Sequence, residues 1–400
     1  MPRPVAVDPR FPAELRRLRA TRGLSLRDLA ARAYVAKSTI SDLEHGLKSP
    51  TPETARALDD ALHASGALAT MVTEPLPSTA QPASVDDEEE ALELVRRAAA
   101  SDVGSQTLAQ LEAAVDDLAT AYPKTSPGEL LDRVRRHLGY VARLFEARKT
   151  LDEHRRLIVA AGWLSLLGAT LHVDLHQRPA AAARLRVARH LARHAEHSEI
   201  QAWCLETAAW DALTEGSYPR ALQLSQAAQE TAPKGSSAFI QATAQEGRAR
   251  ARLGDRPGTY RALERVHALV SPLPMPERPE HHYQYDPAKA VAYAATTLSW
   301  IGDTAAIDYA RQVIARLESI EDGPARPRRA ASARLDLALA LLASDEPDEA
   351  SDAALRAIRS GCLVPSNYWR VEEVIAGMAG WPMPIANEVR EAYRALLSHD

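Results

Sequence analysis

The sequence predicts an all-α protein in two parts, a small N-terminal bundle of four or five short helices and a long array of helical hairpins. Three observations carry this prediction. From Ala91 onward the β-branched alternation of strands is almost absent, while Ala, Leu, Arg and Glu recur at helical spacing. Short polar turns punctuate the same region about every 38–48 residues, the period range of helical solenoids. Between head and array lies EPLPSTAQPASVDDEEE (74–90), three prolines and then an acidic run, which buries too little to pack and reads as a linker. The expected boundaries are therefore a head at 1–73, a linker at 74–90 and a helical body at 91–400. The acidic run Asp86–Glu90 reads as a solvated helix N-terminus, where negative charge is favoured, ahead of a mimic of DNA.

Local signals delimit each helix of the head. Ser25 followed by Asp28 forms a capping box for helix 2. Thr51 and Pro52 supply the N-cap and first position of helix 4. Gly23 and Gly46 stand just past helices 1 and 3, where a left-handed residue ends a helix. Leu15, Leu18, Leu24, Leu29, Ala30, Val35, Ile40, Leu43, Leu58 and Leu62 are spaced to make one small core. Residues 1–72 hold eleven Arg/Lys against eight Asp/Glu, net +3, whereas the remainder holds 37 against 45, net −8. A basic head on an acidic body is the asymmetry expected if only the head meets phosphate.

Residues 12–62, PAELRRLRATRGLSLRDLAARAYVAKSTISDLEHGLKSPTPETARALDDAL, resemble the Xre/Cro-type helix-turn-helix family over essentially the whole head. The resemblance implies that the helix from about Lys37 to His45 enters the major groove of double-stranded DNA while helix 2 crosses the backbone. It assigns base contact to Lys37, Ser38 and Asp42, with Thr39 and Ser41 nearby. Lys37 would donate to guanine, and Asp42 would either accept from cytosine or pair with a Lys or Arg side chain on the helix surface. Arg19 and Glu44 match a family ion pair that orients the recognition helix, and Arg27 and Lys48 are phosphate candidates. Three positions depart from the family pattern. Tyr34 stands at the turn usually held by Gly, Ala36 replaces a capping Ser or Thr, and Leu26 replaces a phosphate-touching Gln.

The body repeats EGSYPRALQLSQAAQETAP (215–233), LGDRPGTYRALERVHALV (253–270), IGDTAAIDYARQVIARLE (301–318) and SDEPDEASDAALRAI (344–358), with HQRPAAAARLRVARHLARHA (176–195) as a looser copy. Gly216, Tyr218, Ala221 and Pro233 fall where tetratricopeptide repeats place a glycine, an aromatic, a small residue and the closing proline, so this part resembles a tetratricopeptide-like solenoid; a plain helical bundle is the alternative. Such an array offers a concave groove lined by the first helix of each hairpin. Trp163, Trp203, Trp210, Arg248, Tyr293 and Trp300 are the candidate lining residues for an effector, any single tryptophan reading more readily as core. The segment from Glu280 to Pro287, with His281, His282, Tyr283 and Tyr285 beside a proline-rich loop, is a candidate lid. The layout resembles peptide-responsive regulators of Gram-positive bacteria and, more closely, the large regulators of actinomycetes. The former clamp peptide backbone with asparagines; this chain has only Asn367 and Asn387, which argues against that carry-over.

Other classes lack support. No GxxxxGK[ST], GxSxG or HExxH pattern is present, so an enzyme is not expected. Cys204 and Cys362 are too few for a disulfide framework or a cysteine zinc site. His172 and His176, and the face of His190, His194 and His197, have metal-like spacing but read as solvated helix positions; no metal or other cofactor is expected. No uninterrupted apolar run approaches the roughly 18 residues of a membrane span, and MPRPVAVDPR has no apolar segment of a signal peptide. The expectation is a cytoplasmic, homodimeric, sequence-specific DNA-binding regulator, modulated by a small molecule or peptide. The alternative is a DNA-tethered scaffold that recruits a protein.

Overall fold

The computed structural model describes residues 6–73, 94–96, 99–278, 280–319, 326–380 and 383–398. The expected linker 74–90, with its acidic run, lies outside the described residues. The chain divides into two compact units, residues 1–93 and 94–400.

The first unit holds α1 (Phe11–Thr21), α2 (Leu26–Ala33), α3 (Lys37–Glu44) and α4 (Pro52–Ala61). The capping box at the start of α2 is formed: Asp28 N–H donates to Ser25 Oγ at 3.2 Å, and Ser25 N–H to Asp28 Oδ2 at 3.0 Å. Thr51 accepts from Thr54 N–H at 3.2 Å, with Pro52 opening α4. The core is Phe11, Leu15, Leu29, Ile40, Leu43, Leu58, Leu62 and Leu68, with Leu18, Leu24, Ala30 and Val35 packed partly buried around it. Two features were not foreseen. A two-residue strand, β1 (Ala6–Val7), pairs antiparallel with β2 (Val72–Thr73) and joins the two ends of the unit. The buried carboxylate of Asp59 accepts from the backbone N–H of Gly66 and of Leu68, both at 2.6 Å, and thereby folds the loop after α4.

The second unit opens with α5 (Ser105–Ala121) and α6 (Pro127–Glu146). Five helical hairpins follow: α7 (Leu151–Asp174) with α8 (Arg178–His194), α9 (Ser198–Thr214) with α10 (Tyr218–Thr231), α11 (Ser237–Arg252) with α12 (Arg256–Val270), α13 (Pro287–Trp300) with α14 (Ala305–Glu318), and α15 (Pro327–Ala343) with α16 (Pro347–Arg359). A 3-10 turn at Pro365–Asn367, α17 (Tyr368–Gly377) and α18 (Met383–Leu397) close the chain.

All five hairpin turns are built alike. Each first helix ends on one left-handed residue: His176 (φ 54°), Gly216 (75°), Gly254 (75°), Gly302 (65°) or Asp345 (68°). The next residue donates its N–H five residues back, as in Gln177 to His172 O at 2.8 Å, Ser217 to Ala212 O at 2.8 Å and Asp255 to Arg250 O at 3.0 Å. Glycine takes three of these positions because it carries no Cβ to clash there, while histidine and the short aspartate accept the strain at the others. The repeated segments read from the sequence are therefore the second helices and the turns before them. Within the pairs, small residues allow close approach: a Cβ on Gly247 of α11 would lie 3.2 Å from Ala262 Cβ of α12.

The array curls back on itself, and one carboxylate fastens it. Asp174, at the end of α7 and 2% exposed, accepts from Arg328 of α15 at 2.7 Å and from Ser366 Oγ at 3.1 Å. Arg328 also donates to the carbonyls of Tyr122 at 2.7 Å and Thr125 at 3.2 Å, between α5 and α6. One buried cluster thus ties the first elements of the unit to its last hairpin and its C-terminal turn. This clasp brings the two ends of the array together, so that the expected concave groove is closed into a ring. Helix α7 itself is long and apolar enough to span a membrane, with a mean hydropathy of 1.5 in its most apolar window, although counting unbroken apolar runs did not reveal it. That window is 83% buried in the fold, which makes α7 the core helix of the array.

Asp174→Ala leaves the Arg328 guanidinium buried without its carboxylate and is expected to lower stability by about 3–5 kcal/mol. Replacing both partners with apolar residues, Asp174→Leu with Arg328→Met, is expected to restore more than half of that loss. Chemical denaturation of the full chain, following the transition of the helical body, reads both. Equal losses in the single and double variants would refute the clasp.

Candidate functional site

Two sites are built by these elements, one in each unit. In the head, α3 stands on a frame set by a buried ion pair. Glu44, 4% exposed, accepts from Arg19 Nε at 2.6 Å and from a second Arg19 nitrogen at 2.9 Å, a bidentate geometry. Arg19 also donates to Leu24 O at 2.9 Å, and Arg16 to Glu44 O at 2.7 Å, so α1 grips the C-terminal end of α3. The turn between α2 and α3 passes through Tyr34, whose φ of 54° is left-handed and whose side chain is 96% exposed. Ala36 precedes α3 and offers no side-chain cap. On α3, Lys37 and Ser38 are exposed, Thr39, Ser41 and Asp42 are half-buried, and Ile40, Leu43 and Glu44 face inward. Arg27 and Lys48 are exposed on neighbouring segments. Among the described residues Asp42 makes no ion pair, so its carboxylate is available to a partner outside the chain.

In the body, the first helices of all five hairpins turn one polar stripe toward a common cavity of about 260 Å³. The stripes fall at helical spacing: Thr170 and Asp174 on α7; Trp203, Glu206, Thr207 and Trp210 on α9; Gln241, Gln245 and Arg248 on α11. Lys289, Tyr293 and Thr296 on α13, and Arg329, Ser332 and Asp336 on α15, continue the pattern. Val313 and Leu317 of α14 supply an apolar patch, while Tyr122, Glu280, His282, Asn367 and Arg370 complete the wall.

The wall is dense in charge, and most of that charge is paired. Arg328 meets Asp174, Arg329 meets Glu280, and Arg370 meets Asp336, which also accepts from Thr296 Oγ at 2.6 Å. Lys289 is half-buried and donates to three carbonyls, those of His281 (2.8 Å), His282 (3.4 Å) and Gln284 (2.5 Å). Burial, with Arg329 nearby, pulls its ammonium down to about 8. Glu206 is 5% exposed and accepts from Gln241 Nε2 at 2.9 Å. Burial pushes its carboxyl up to about 7, against the opposing pull of Gln241 and Arg248. Burial also drives His282, whose ring lies 4.2 Å from that of Tyr122, well below the ordinary imidazole range, so it is neutral.

Of the residues expected to line a groove, Trp203, Trp210, Arg248 and Tyr293 reach the cavity, and Trp163 and Trp300 do not. Trp163 packs on Tyr283 with ring centroids 4.9 Å apart, and Trp300 lies under the guanidinium groups of Arg248 (4.9 Å) and Arg252 (4.1 Å). The segment from Glu280 is a wall and not a lid. Glu280, His281, Tyr283 and Tyr285 are all nearly buried, His282 N–H donates to Ala119 O at 3.1 Å, and Tyr285 N–H to Ser237 Oγ at 3.0 Å. Tyr283 fills the core beside Trp163 and Trp203, and Tyr285 stacks on Tyr293. Sequence reasoning missed Glu206, Gln241, Gln245, Lys289 and Asp336. Their signal is a polar residue every three to four positions along an otherwise buried helix. Among the described residues no group of three or more His, Cys, Asp or Glu side chains is arranged to hold a metal ion. His197 instead caps α9, accepting from Ile200 N–H at 3.3 Å, and His190 and His194 touch each other at 3.1 Å.

Residues 10–70 match the family described as a helix-turn-helix domain. The matched region covers the head from the residue before α1 to the 3-10 turn after α4 and leaves the helical body outside it. No curated protein matches the chain. The head is thus a helix-turn-helix domain, a DNA-binding type, and the body stands on its own geometry.

The position of Glu206 makes a pH prediction. Its folded value near 7 lies above that of an unfolded carboxyl, so its contribution to stability is complete below about pH 4.5 and is lost as pH rises through about 7. Glu206→Gln removes this loss, and the variant is expected to exceed the wild type by about 2–3 kcal/mol near pH 7.5, the gap closing toward pH 5. That range lies below the Lys289 transition near 8. Thermal melts across it test the assignment, and a gap that does not change with pH refutes it.

Proposed function

We propose that the chain is a cytoplasmic, homodimeric, sequence-specific transcription regulator of the Xre type. Its head reads double-stranded DNA, and its tetratricopeptide-like body binds a small-molecule effector. The observation that carries the first half is the solvent face of α3. Lys37 and Ser38 are fully presented there while Glu44 and Arg19 fix the helix from behind. A recognition helix needs this combination, because base contacts depend on a helix held at one angle in the major groove. Two such heads in a dimer would read half-sites one or more helical turns apart.

The body's cavity supports the second half. At about 260 Å³ it lies just below the roughly 300 to 1,000 Å³ of ligand pockets, and it suits a small metabolite better than a peptide. The same size weighs against the scaffold reading, which needs an open surface for a protein partner. A non-enzymatic role is part of the proposal. A shifted carboxyl and a shifted amine in one cavity can mark a catalytic acid and base, but here Lys289 donates to three carbonyls and Glu206 is held by Gln241.

DNA selected from a random pool by the wild-type protein tests the head. Lys37→Ala and Ser38→Ala are each expected to cost about 1–3 kcal/mol in affinity for the selected site and to relax its sequence preference, with the melting temperature unchanged. Lys48→Ala is expected to weaken binding to all sequences alike and to lower the salt slope by about 1. A Lys37→Ala, Ser38→Ala double variant that keeps the wild-type preference sinks the contact assignment. For the body, a ligand that saturates the cavity yet leaves operator affinity unchanged refutes the regulatory link.

A further inference from the structure

Several buried N–H donors on the cavity wall, Gln245 Nε2, Arg248 Nε and Arg370 Nε, have no acceptor within the described residues, and this points to the class of molecule that fits it. Three of its cations are neutralised in place by Asp174, Glu280 and Asp336, and Lys289 is spent on backbone carbonyls. Arg248 is different. Its guanidinium lies over the rings of Tyr293 at 5.3 Å and Trp300 at 4.9 Å, and its hydrogen bond runs to the neutral Gln245 Oε1 at 3.2 Å. Among the described residues no carboxylate pairs with it, and its Nε is buried with no protein acceptor in reach. Gln245 is fully buried, and its Nε2 also lacks a protein acceptor. A half-buried guanidinium with no carboxylate in contact, Glu206 acting on it only at longer range, is costly, and a planar fork of N–H donors matches one carboxylate in bidentate geometry.

Resting on the effector-cavity reading above, we infer that the site takes a small planar organic monocarboxylate, its carboxylate on Arg248 and Gln245 and its ring system against Trp210 and Tyr293. The other features of the cavity agree. Val313, Leu317 and Ala292 give the ring an apolar floor, and aromatic side chains favour flat partners at offset or tilted geometry. The volume limits the body of the ligand to one or two rings. Lys289 is taken up by three carbonyls, so the one guanidinium fork of Arg248 is left to meet the ligand, and it suits one carboxylate better than the double charge of a phosphate monoester. Among the described residues Glu206 is the acid on the wall outside an ion pair; it is bound to Gln241 and carries a proton for part of the time at neutral pH, so it opposes an incoming anion weakly.

The test uses the full-length protein with benzoate, 1-naphthoate and indole-3-acetate, each beside its carboxamide, and with phenyl phosphate. Tryptophan fluorescence reports binding through Trp203 and Trp210, and the melting temperature of the body reports it independently. At least one acid is expected to bind at millimolar concentration or below, and its carboxamide about tenfold more weakly or worse. Arg248→Met is expected to lose about tenfold or more in affinity for that acid while melting no lower than the wild type, since it removes an unpaired buried charge. Should that variant fail to fold, Arg248→Lys keeps the charge without the fork and is expected to bind at intermediate strength. Carboxamides that bind as well as the acids, phenyl phosphate that binds better, full binding by Arg248→Met, or no binding by any acid at millimolar concentration each overturn the inference. An acid that binds through Arg248 but leaves operator affinity unchanged supports the ligand class and refutes the regulatory link, so the two failures are told apart.

Discussion

The helical body depends on a single buried carboxylate. Asp174 ends the first helix of the first hairpin, yet its two oxygens are taken by a guanidinium and a hydroxyl 154 and 192 residues further along. A hairpin array without such a clasp is an open superhelix in which each repeat meets only its neighbours. With the clasp, the inner faces of five first helices converge, and the polar stripe on each becomes part of one wall. The cavity is a consequence of closure, and so is the cost of keeping polar groups there.

That cost is met unevenly, and the unevenness is informative. Where the wall serves the fold, its charges are neutralised: Arg328 on Asp174, Arg329 on Glu280, Arg370 on Asp336. Glu206 and Arg248 are not neutralised by a partner, although burial disfavours the charged form of both. A chain selected for stability alone would replace such groups with apolar side chains of similar volume. Positions that break the local rule without compensation are expected where function sits, and these two face the same space.

Much of the fold was legible because it is written in local chemistry. The five hairpin turns announce themselves through Gly216, Gly254 and Gly302 and through the proline or small residue that follows, and the caps of α2 and α4 through Ser25, Asp28, Thr51 and Pro52. These signals act within a few residues, so sequence carries them whole. The cavity was only half legible. Trp203, Trp210, Arg248 and Tyr293 were found because large side chains on first helices are conspicuous, and Trp163 and Trp300 were included for the same reason. Which face of its helix a tryptophan occupies depends on neighbours 40 or more residues away, and no local pattern reports that. Gln241 and Gln245 are inconspicuous singly; only their spacing on a buried helix marks them. The aromatic segment after Glu280 was misread because its prolines exclude regular structure without saying whether the segment is exposed. Tyr283 and Tyr285 show that an irregular segment can be as buried as a helix when its backbone groups find partners such as Ser237 and Lys289.

The clasp and the ligand wall share residues, and this bounds what an effector can do. A ligand shifts a conformational equilibrium only by the difference between its affinities for the two states. Asp174 and Arg328 line the cavity and also close the ring, so opening the ring disperses the surface on which an acid would sit. Arg248 and Gln245 lie together on α11, whereas the apolar floor comes from α13 and α14 and part of the aromatic wall from α9. In an open array, an acid would keep its charge contact and lose its floor and much of its stacking surface. Its preference for the closed form would therefore come mainly from its ring system, while the carboxylate on Arg248 would decide which molecules are admitted. On the proposed reading, admission and switching would be separate tasks assigned to separate parts of one small ligand.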